Sequence, residues 1–438
     1  MDKMKAVGLV TEYNPFHNGH VFHLNKSLEL SGADVAVAVM SGNFVQRGEP
    51  AVIDKYSRCA AAVNSGVNLV IELPSYYALS SAEGFAAGAV KTLAAVGADF
   101  IAFGSECGDI EALREAAEIL TDEPEEYKAL LKKYNSCGLS FPSARYEALK
   151  DLLSENNKFA EILKTPNNIL GIEYLKEIIR KGHKITPITF SRHIAGFNDT
   201  DFRGSFASAS AIRLALEKGF KKSFEKAAEK SSEKGSEIPN ASELKSVLPE
   251  SMYRVISENS GISCPVFADD FSSLLNYKLS QLFYLNGYEK ARVCEALCSY
   301  CDVSYDLANR IFSSFTGKES FSALVSEIKT RGYTYSRVSR CLMHILLEIK
   351  TSDAYKYADA PYIRVLGFDK KGQAYLHQIK KTCPVPVITK TADYRELLSQ
   401  DVCCTDVYNQ ILLQKFGTPA KDEFRRGVFI KEQNQTKG

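Results

Sequence analysis

The chain has 438 residues, of which 45% are hydrophobic and 24% charged, so it is long enough for two or three globular domains. Its formal net charge of +1 excludes a basic surface over the whole molecule, so a nucleic-acid site would have to be a local patch. We find no apolar signal core and no run of about 18 apolar residues. The eleven cysteines follow no regular framework, so we expect reduced thiols in a cytoplasmic protein with no membrane partner.

The first predicted elements are a short strand, a glycine-containing loop and a helix. The apolar run 6–10 is too short for a helix and is typical of a buried strand. Asn-Pro and Asn-Gly pairs within residues 14–19 break the chain before the helix. His17 and His20 fall at its start, where backbone N–H groups and the helix dipole favour an anion. Imidazoles there could donate to phosphate oxygens during nucleotidyl transfer, whereas the simpler interpretation is a histidine-rich helix cap.

Four further strands, alternating with helices, are predicted before residue 191. They are Asp34–Met40, Asn68–Leu73, Asp99–Phe103 and Lys184–Phe190. This alternation predicts βαβ units, and continuous apolar runs are typical of a parallel sheet covered on both faces. No G-x-G-x-x-G fingerprint follows the first strand, which argues against an NAD site. We therefore predict an α/β protein, with a doubly wound, Rossmann-like parallel-sheet domain followed by a mostly helical α+β carboxyl-terminal region.

Loops at the carboxyl ends of parallel strands are candidate site segments, because ligands bind there in open α/β sheets. Gly104 follows the fourth strand and could let a nucleotide approach the backbone, or could only make a tight turn. Asn167 and Asn168 precede a helix, which either could cap, or they could bind the nucleotide. Arg192 and His193 form a basic pair directly after the fifth strand.

Two pairs of polar residues lie at helix starts that follow these strands. Lys55 and Arg58 begin the helix after the second strand, where they could be solvated or contact phosphate. Ser210 and Arg213 begin a later helix and are candidate phosphate contacts. Hydroxyl, N–H and guanidinium donors at a helix start suit a pyrophosphate. The alternative is a capping serine and a surface arginine.

The sequence predicts three parts: a catalytic domain over residues 1–220, a charged linker over 221–243 and a mostly helical region over 244–438. Within the last part, residues 362–389 suggest a small αβ subdomain. Basic and aromatic residues alternate over residues 329–340, as they do where proteins bind phosphates and stack bases. A solvated helix start is the alternative. The candidate nucleic-acid-binding cations of this stretch are Lys329, Arg331, Arg337 and Arg340.

No resident metal site is predicted. Cys294, Cys298 and Cys301 share one helical face, but three thiols without a fourth ligand are more often core residues than a zinc site. Mg²⁺ would be compatible with a nucleotide substrate, although no carboxylate cluster of its own is evident.

The loop sequence NPFHNGH at residues 14–20 resembles the HxGH signature of nucleotidyltransferases related to class I aminoacyl-tRNA synthetases. Residues 206–213 resemble the second signature of that superfamily, a Ser/Thr-x-x-Ile-Arg helix start. In that superfamily the serine, backbone amides and arginine of the second signature reach the phosphates of the nucleotide. The resemblance implies adenylyl transfer from ATP with release of pyrophosphate.

A longer series of motifs resembles one family over the first ~215 residues: VTEYNPFHNGH, MSGNFVQRGEPA, VNLVIELP, FGSE, TPNNILGIEY and FSRHIAGF. That family is the bacterial tRNA(Met) cytidine acetate ligase. It activates acetate with ATP as acetyl-adenylate and acetylates N4 of the wobble cytidine of elongator tRNA(Met). The resemblance implies that His17 and His20 act catalytically at the departing pyrophosphate. It implies an ATP site made of Val10, Thr11, Glu12, Tyr13, Asn14, Pro15, Phe16, His17, Asn18, Gly19, His20, Val21, Phe22, His23, Gly104, Asn167, Arg192 and His193.

Two other functions stay open from the residues alone. One is a metabolite nucleotidyltransferase that makes a dinucleotide coenzyme and needs no RNA surface. The other is an RNA-binding protein that senses ATP through a degenerate fold, although intact His17, Gly19 and His20 argue against degeneracy. The sequence does not predict an oligomeric state.

Overall fold

The computed structural model describes residues 3–152, 162–191, 207–229 and 241–432. Strands alternate with helices up to residue 191 and helices dominate afterwards, which confirms the predicted α/β fold. The strands are β1 (Ala6–Thr11), β2 (Val35–Ser41), β3 (Phe44–Val45), β4 (Glu49–Pro50), β5 (Leu69–Leu73), β6 (Phe100–Ser105), β7 (Thr186–Ser191), β8 (Ile363–Phe368), β9 (Val387–Ile388) and β10 (Phe429–Ile430).

One mostly parallel sheet organises the molecule. Its strand order is β10-β8-β5-β2-β1-β6-β7, and β9 pairs with β8. Neighbouring strands are parallel except β5 and β8, which are antiparallel. The order runs outward from β1 in both directions, so the topological switch point lies between β1 and β6, where open α/β sheets bind ligands. Strands β3 and β4 form a separate antiparallel hairpin after β2.

Both faces of this sheet are covered by helices, as the continuous apolar strands predict. Alternate residues of β2 enter opposite cores: Val37 packs on one face and Ala38 on the other. The helices up to residue 229 are α1 (Asn18–Ser31), α2 (Lys55–Asn64), α3 (Ser75–Ala78), α4 (Ala82–Ala95), α5 (Ile110–Asp122), α6 (Glu125–Ser136), α7 (Phe141–Leu152), α8 (Pro166–Lys181) and α9 (Ala209–Glu229).

The helices after residue 240 contribute to all three cores, and most of them build the third, which contains Cys294. They are α10 (Ala241–Val247), α11 (Glu250–Asn259), α12 (Ser272–Leu285), α13 (Lys290–Leu297), α14 (Tyr305–Ser314), α15 (Phe321–Ile328), α16 (Tyr335–Leu346), α17 (Lys370–Ile379) and α18 (Ser399–Phe416). Short 3-10 turns cover Ala268–Phe271, Thr351–Tyr357, Thr391–Tyr394 and Glu423–Arg425. None of the helices in the described ranges is long and apolar enough to cross a membrane.

Two details of the predicted organisation differ from the structure. The segment 362–389 is not a separate αβ subdomain, because β8 and β9 extend the main sheet beyond β5. Apolar residues at both strand faces give β8 the character of an inner strand. Helix α9 continues past Lys221 to Glu229, so the predicted linker begins inside a helix. The division into three domains stays a prediction.

Candidate active site

A cavity of about 470 Å³ opens at the switch point, where β1 and β6 end. The loop after β1, the β3–β4 hairpin, the start of α8 and the start of α9 contribute to its wall. Its lining residues are Val10, Thr11, Glu12, Tyr13, Asn14, Gly19, His20, Phe22, His23, Gln46, Arg47, Phe85, Phe103, Gly104, Pro166, Asn167, Leu170, Tyr174, Phe190, Ser208, Ala209, Ser210 and Arg213. The two motif regions that the sequence singles out therefore meet at one cavity.

His17 and His20 form the amino-terminal cap of α1. His17 Nδ1 accepts a hydrogen bond from the Gly19 N–H at 3.1 Å, and His20 Nδ1 accepts one from the His17 N–H at 3.2 Å. The ring centroids are 3.8 Å apart. Because both Nδ1 atoms are acceptors, each neutral ring carries its proton on Nε2, which becomes its donor atom. His20 lines the cavity, whereas His17 is only 4% exposed and does not.

Arg213 connects the start of α9 to the HxGH loop. Its Nη1 donates to the carbonyl oxygen of Asn14 at 3.0 Å, and its Nη2 donates to Ser210 Oγ at 3.2 Å. Burial lowers the pKa of the guanidinium, an effect that the nearby carboxylates of Glu49 and Glu12 oppose. A partly desolvated cation at a cavity wall is a suitable partner for a phosphate oxygen.

Lys55 and Arg58 are neither solvated nor placed as phosphate ligands, so both predicted alternatives are wrong. Each is fully buried. Arg58 donates to the carbonyl oxygens of Glu12, Ser41 and Gly42, in the loops that follow β1 and β2. It is a positioning residue, because it fixes two loops whose neighbours line the cavity.

Lys55 belongs to a buried ionic network of two cations and two carboxylates. Its Nζ lies 2.8 Å from Glu72 Oε1 and 2.6 Å from Glu423 Oε1. Arg364 completes the network through Nη1, 3.1 Å from Glu72 Oε2, and through a second contact with Glu423. Burial alone would raise the pKa of Glu423, but Lys55 and Arg364 lower it to about 2. The network joins α2, β5 and β8 to the 3-10 turn near the carboxyl terminus.

Glu106 after β6 caps the start of α8. Its Oε1 accepts from Asn167 Nδ2 at 2.7 Å and its Oε2 accepts from the Asn168 N–H at 2.8 Å. In return, Asn168 Oδ1 accepts from the N–H groups of Glu106 and Cys107 at 2.9 and 3.2 Å. Asn168 therefore has a structural role, whereas Asn167 and Gly104 line the cavity.

Aromatic rings make the wall of the cavity near the ends of β6 and β7. Phe103 packs against Tyr174 with ring centroids 5.4 Å apart, and His23 lies 5.6 Å from Phe190. His23 Nε2 is 3.1 Å from the carbonyl oxygen of Ala102, an acceptor, so this nitrogen donates and the ring is held in place. Apolar and aromatic walls with a few fixed polar groups suit a purine base.

The predicted site residues divide into three groups. Most line the cavity. The following do not line it: Pro15, Phe16, His17, Asn18 and Val21. Arg192 and His193 lie outside the described residues. Gln46 and Arg47 of the β3–β4 hairpin also line the cavity, although the sequence does not single them out. The aromatic wall is not predicted either, because single rings in a chain give no signal. The part each residue takes in nucleotide binding stays a prediction.

The basic stretch 329–340 is split by its environment. Lys329 and Arg331 are exposed, and Arg337 lies over the ring of Tyr333 at 5.1 Å. Arg340 is only 8% exposed. These positions do not form one uniform surface, so the four cations cannot all act as solvated phosphate contacts.

Arg340 instead packs against the β3–β4 hairpin beside the cavity. Its Nη1 lies 3.4 Å from the carbonyl oxygen of Gln46. Ser339 Oγ donates to the carbonyl oxygen of Gly48 at 2.8 Å. Gly48 has φ +76°, and a Cβ there would lie 2.3 Å from the Arg340 backbone nitrogen, so this contact requires glycine. The start of α16 and the active-site hairpin are therefore one packed unit.

The sheet topology and the two signatures at its switch point define a nucleotidyltransferase of the HxGH type. The sequence matches the HIGH Nucleotidyl Transferase family over residues 4–423. It is 42% identical over 414 residues to the tRNA(Met) cytidine acetate ligase of Thermoanaerobacter sp. (strain X514), which covers 92% of this chain and 95% of that protein. It is 38% identical over 444 residues to the tRNA(Met) cytidine acetate ligase of Acetivibrio thermocellus, with 98% and 100% covered.

A solved structure is also similar to this chain over nearly its whole length. Thermotoga maritima TmcAL bound with alpha-thio ATP superposes with a TM-score of 0.82 at 31% sequence identity, covering 98% of this chain and 100% of that chain. The chain belongs to the tRNA(Met) cytidine acetate ligase family, which confirms the resemblance found in its motifs.

Proposed function

We propose that this protein uses ATP to join acetate to N4 of the wobble cytidine of elongator tRNA(Met), in the cytoplasm. The observation that carries the proposal is the cavity at the switch point, where His20 of the first signature and Arg213 of the second line one wall. Acetate has no good leaving group, so an amine can attack it only after activation. Adenylylation supplies that leaving group as AMP.

The reaction proceeds in two displacements. An acetate oxygen attacks the α-phosphorus of ATP, and the bond to the bridging oxygen breaks, which releases pyrophosphate and leaves acetyl-adenylate. The N4 amine of the cytidine then attacks the acetyl carbon, loses a proton and expels AMP. No covalent enzyme intermediate is needed, so the protein contributes position and charge stabilisation.

The site residues take their roles from their hydrogen bonds. With Nδ1 engaged in the helix cap, the Nε2–H of His20 is the donor to the departing pyrophosphate, and the amino-terminal end of α1 adds its dipole. His17 holds His20 in this orientation through its backbone N–H. Arg213 supplies a fixed positive charge to the phosphates, and the wall of Phe103 and Tyr174 accepts the adenine.

Within the described ranges, no group of three or more His, Cys, Asp or Glu residues is placed to hold a metal ion. Mg²⁺ would therefore enter as a companion of the ATP phosphates, and no step above depends on it.

The products of ATP turnover test the proposal. Incubated with acetate and tRNA(Met) transcript, the enzyme should convert ATP to AMP and pyrophosphate and should acetylate the RNA. Propionate at the same concentration and a transcript with uridine at the wobble position are the controls. A metabolite nucleotidyltransferase, the alternative left open by the sequence, would leave acetate and RNA unchanged. ADP in place of AMP would contradict the proposed chemistry.

A further inference from the structure

A second cavity adjoins the active-site cavity. It has a volume of about 410 Å³ and lies between α7, α8 and the start of α16. Three residues line both cavities: Gln46, Pro166 and Leu170. A ligand in the second cavity would therefore be separated from a nucleotide in the first by the thickness of a few side chains.

Gln46 connects the two cavities through its backbone. Its N–H donates to Glu12 Oε1 at 2.8 Å, on the side of the first cavity. Its carbonyl oxygen faces Arg340 Nη1 at 3.4 Å, on the side of the second. Among the described residues, Arg340 Nε has no hydrogen-bond partner, and the carboxylate that faces it is that of Asp302, 4.0 Å away.

The guanidinium of Arg145, in the wall of the second cavity, is hydrogen-bonded on one side only. Its Nη1 pairs with Glu173, which is almost fully buried. Its Nε and Nη2 are shielded from water and have no hydrogen-bond partner among the described residues. Buried donors without partners are rare and costly, so this edge calls for an explanation. Nε and Nη2 form the side edge of the guanidinium, where two parallel N–H groups can bind a pair of adjacent acceptors.

The second cavity also has a solvent-exposed aromatic side chain in its lining. Phe141 at the start of α7 is 51% exposed and lines the cavity together with Tyr146. Arg337, which also lines it, lies over the ring of Tyr333. Exposed rings interleaved with arginines are the means by which proteins stack unpaired bases and hold the adjoining phosphates.

We propose that the second cavity binds the acceptor nucleotide, a cytidine turned out of a single-stranded RNA loop; this rests on the function proposed above. Cytosine presents O2 and N3 as adjacent acceptors, which match the side edge of Arg145. Uracil carries a proton on N3, so it would place a hydrogen-bond donor opposite the donors of Arg145. Bound in this way, cytosine keeps its N4 amine outside the pair with Arg145, so that the amine can face the wall shared by the two cavities. Phe141 stacks on the base, and Arg337 lies beside the phosphates.

Binding of tRNA(Met) transcripts to the full chain, measured by fluorescence anisotropy without ATP, tests this inference. Three transcripts carry cytidine, uridine or an abasic residue at the wobble position. Phe141→Ala should weaken binding of the cytidine transcript about 5- to 100-fold, the range for loss of one base–aromatic stack, and should leave the abasic transcript unchanged. Tyr284→Ala, which removes an exposed ring that lines neither cavity, should change the binding of neither transcript.

Arg145→Lys tests how the base is recognised. It keeps a positive charge for Glu173 but removes the paired donors, so preference for cytidine over uridine should fall about 5- to 100-fold. Far-UV circular dichroism verifies that Arg145→Lys folds. If this variant does not fold, the Phe141→Ala comparison alone decides whether the second cavity binds the base.

Equal weakening of the cytidine and abasic transcripts by Phe141→Ala, or no weakening of either, would overturn the inference. So would the same weakening in Tyr284→Ala. A failure of the proposed function is distinguishable from these outcomes. It would appear as no acetate-dependent pyrophosphate release by the unmodified enzyme, whereas the binding comparison needs no catalysis.

Discussion

Two cations near the ends of the central strands, the fully buried Lys55 and the partly buried Arg213, differ in their hydrogen-bond and ion-pair partners. Lys55 Nζ lies 2.8 Å from a carboxylate oxygen of Glu72 and 2.6 Å from one of Glu423. Arg213 donates only to neutral oxygens, the Asn14 carbonyl and the Ser210 hydroxyl, and none of the described residues forms a salt bridge with it. The charge of Lys55 is therefore neutralised by direct ion pairs inside the protein, whereas Arg213 has carboxylates nearby but no direct ion pair among the described residues. Both residues lie at helix starts after strands, so position in the chain does not separate them.

The comparison teaches that the partners of a cation, and not its proximity to the switch point, separate a structural role from the ligand-binding role proposed for Arg213. Removal of Lys55 should damage folding, and removal of Arg213 should damage nucleotide binding.

Lys55→Met should give the largest change. It leaves Glu72 and Glu423 buried with only Arg364 between them, and removal of one partner of a buried ion pair costs about 3–5 kcal/mol. Urea unfolding followed by circular dichroism measures this as a lower free energy of unfolding. Lys128→Met, at a lysine half-exposed to solvent and paired with Glu125, is the control and should unfold like the parent. Equal stability of the two variants would show that the buried network is not structural.

His20→Ala should reduce adenylate formation ~10²–10³-fold while the protein stays folded, because a donor to the developing charge is removed. Acetate-dependent pyrophosphate release measures the rate. His17→Asn is the informative partner: asparagine is a good helix cap, so α1 should be kept while the ring that packs on His20 is removed. If His20→Ala turns over like the parent, His20 is only a helix cap.

Arg213→Ala should weaken ATP binding by ~1.5–3 kcal/mol, the range for a hydrogen bond to a charged group. Isothermal titration calorimetry with a non-hydrolysable ATP analogue gives the affinity. Arg254→Ala removes an exposed arginine that does not line the active-site cavity and should bind as the parent does. Unchanged affinity in Arg213→Ala would make it a purely structural residue, like Arg58.

The smallest effect is expected at the exposed part of the basic stretch. Lys329 and Arg331 are changed together to alanine. The slope of the logarithm of the tRNA binding constant against the logarithm of salt concentration should become shallower, by ~0.7–0.9 for each phosphate that the variant no longer neutralises. Binding isotherms at several salt concentrations measure the slope. A slope equal to that of the parent would place the RNA elsewhere.

The sequence predicts much of the fold because its strands are short, continuous apolar runs separated by amphipathic helices. It also predicts that the HxGH loop and the start of α9 approach one nucleotide, because the two segments resemble two signatures of one superfamily that contact the same ligand. It does not predict that β8 joins the sheet next to β5, because pairing of strands almost 300 residues apart depends on tertiary packing.

Burial is the other property that the sequence does not reveal. Lys55, Arg58 and Arg340 look like solvated or phosphate-binding cations in a linear chain. Their carboxylate and carbonyl partners come from distant segments, and only the folded structure brings these together. The same holds for the aromatic wall of Phe103, Tyr174 and Phe190.

The central claim is that acetate attacks the α-phosphorus of ATP in the cavity at the switch point. Acetate labelled with ¹⁸O in both carboxyl positions tests it most directly. After complete turnover with ATP and tRNA(Met) transcript, mass spectrometry should find one ¹⁸O in AMP and one in the acetyl group on the RNA, because the acetyl–oxygen bond breaks in the second step. Label in inorganic phosphate, or unlabelled AMP beside acetylated RNA, would contradict it.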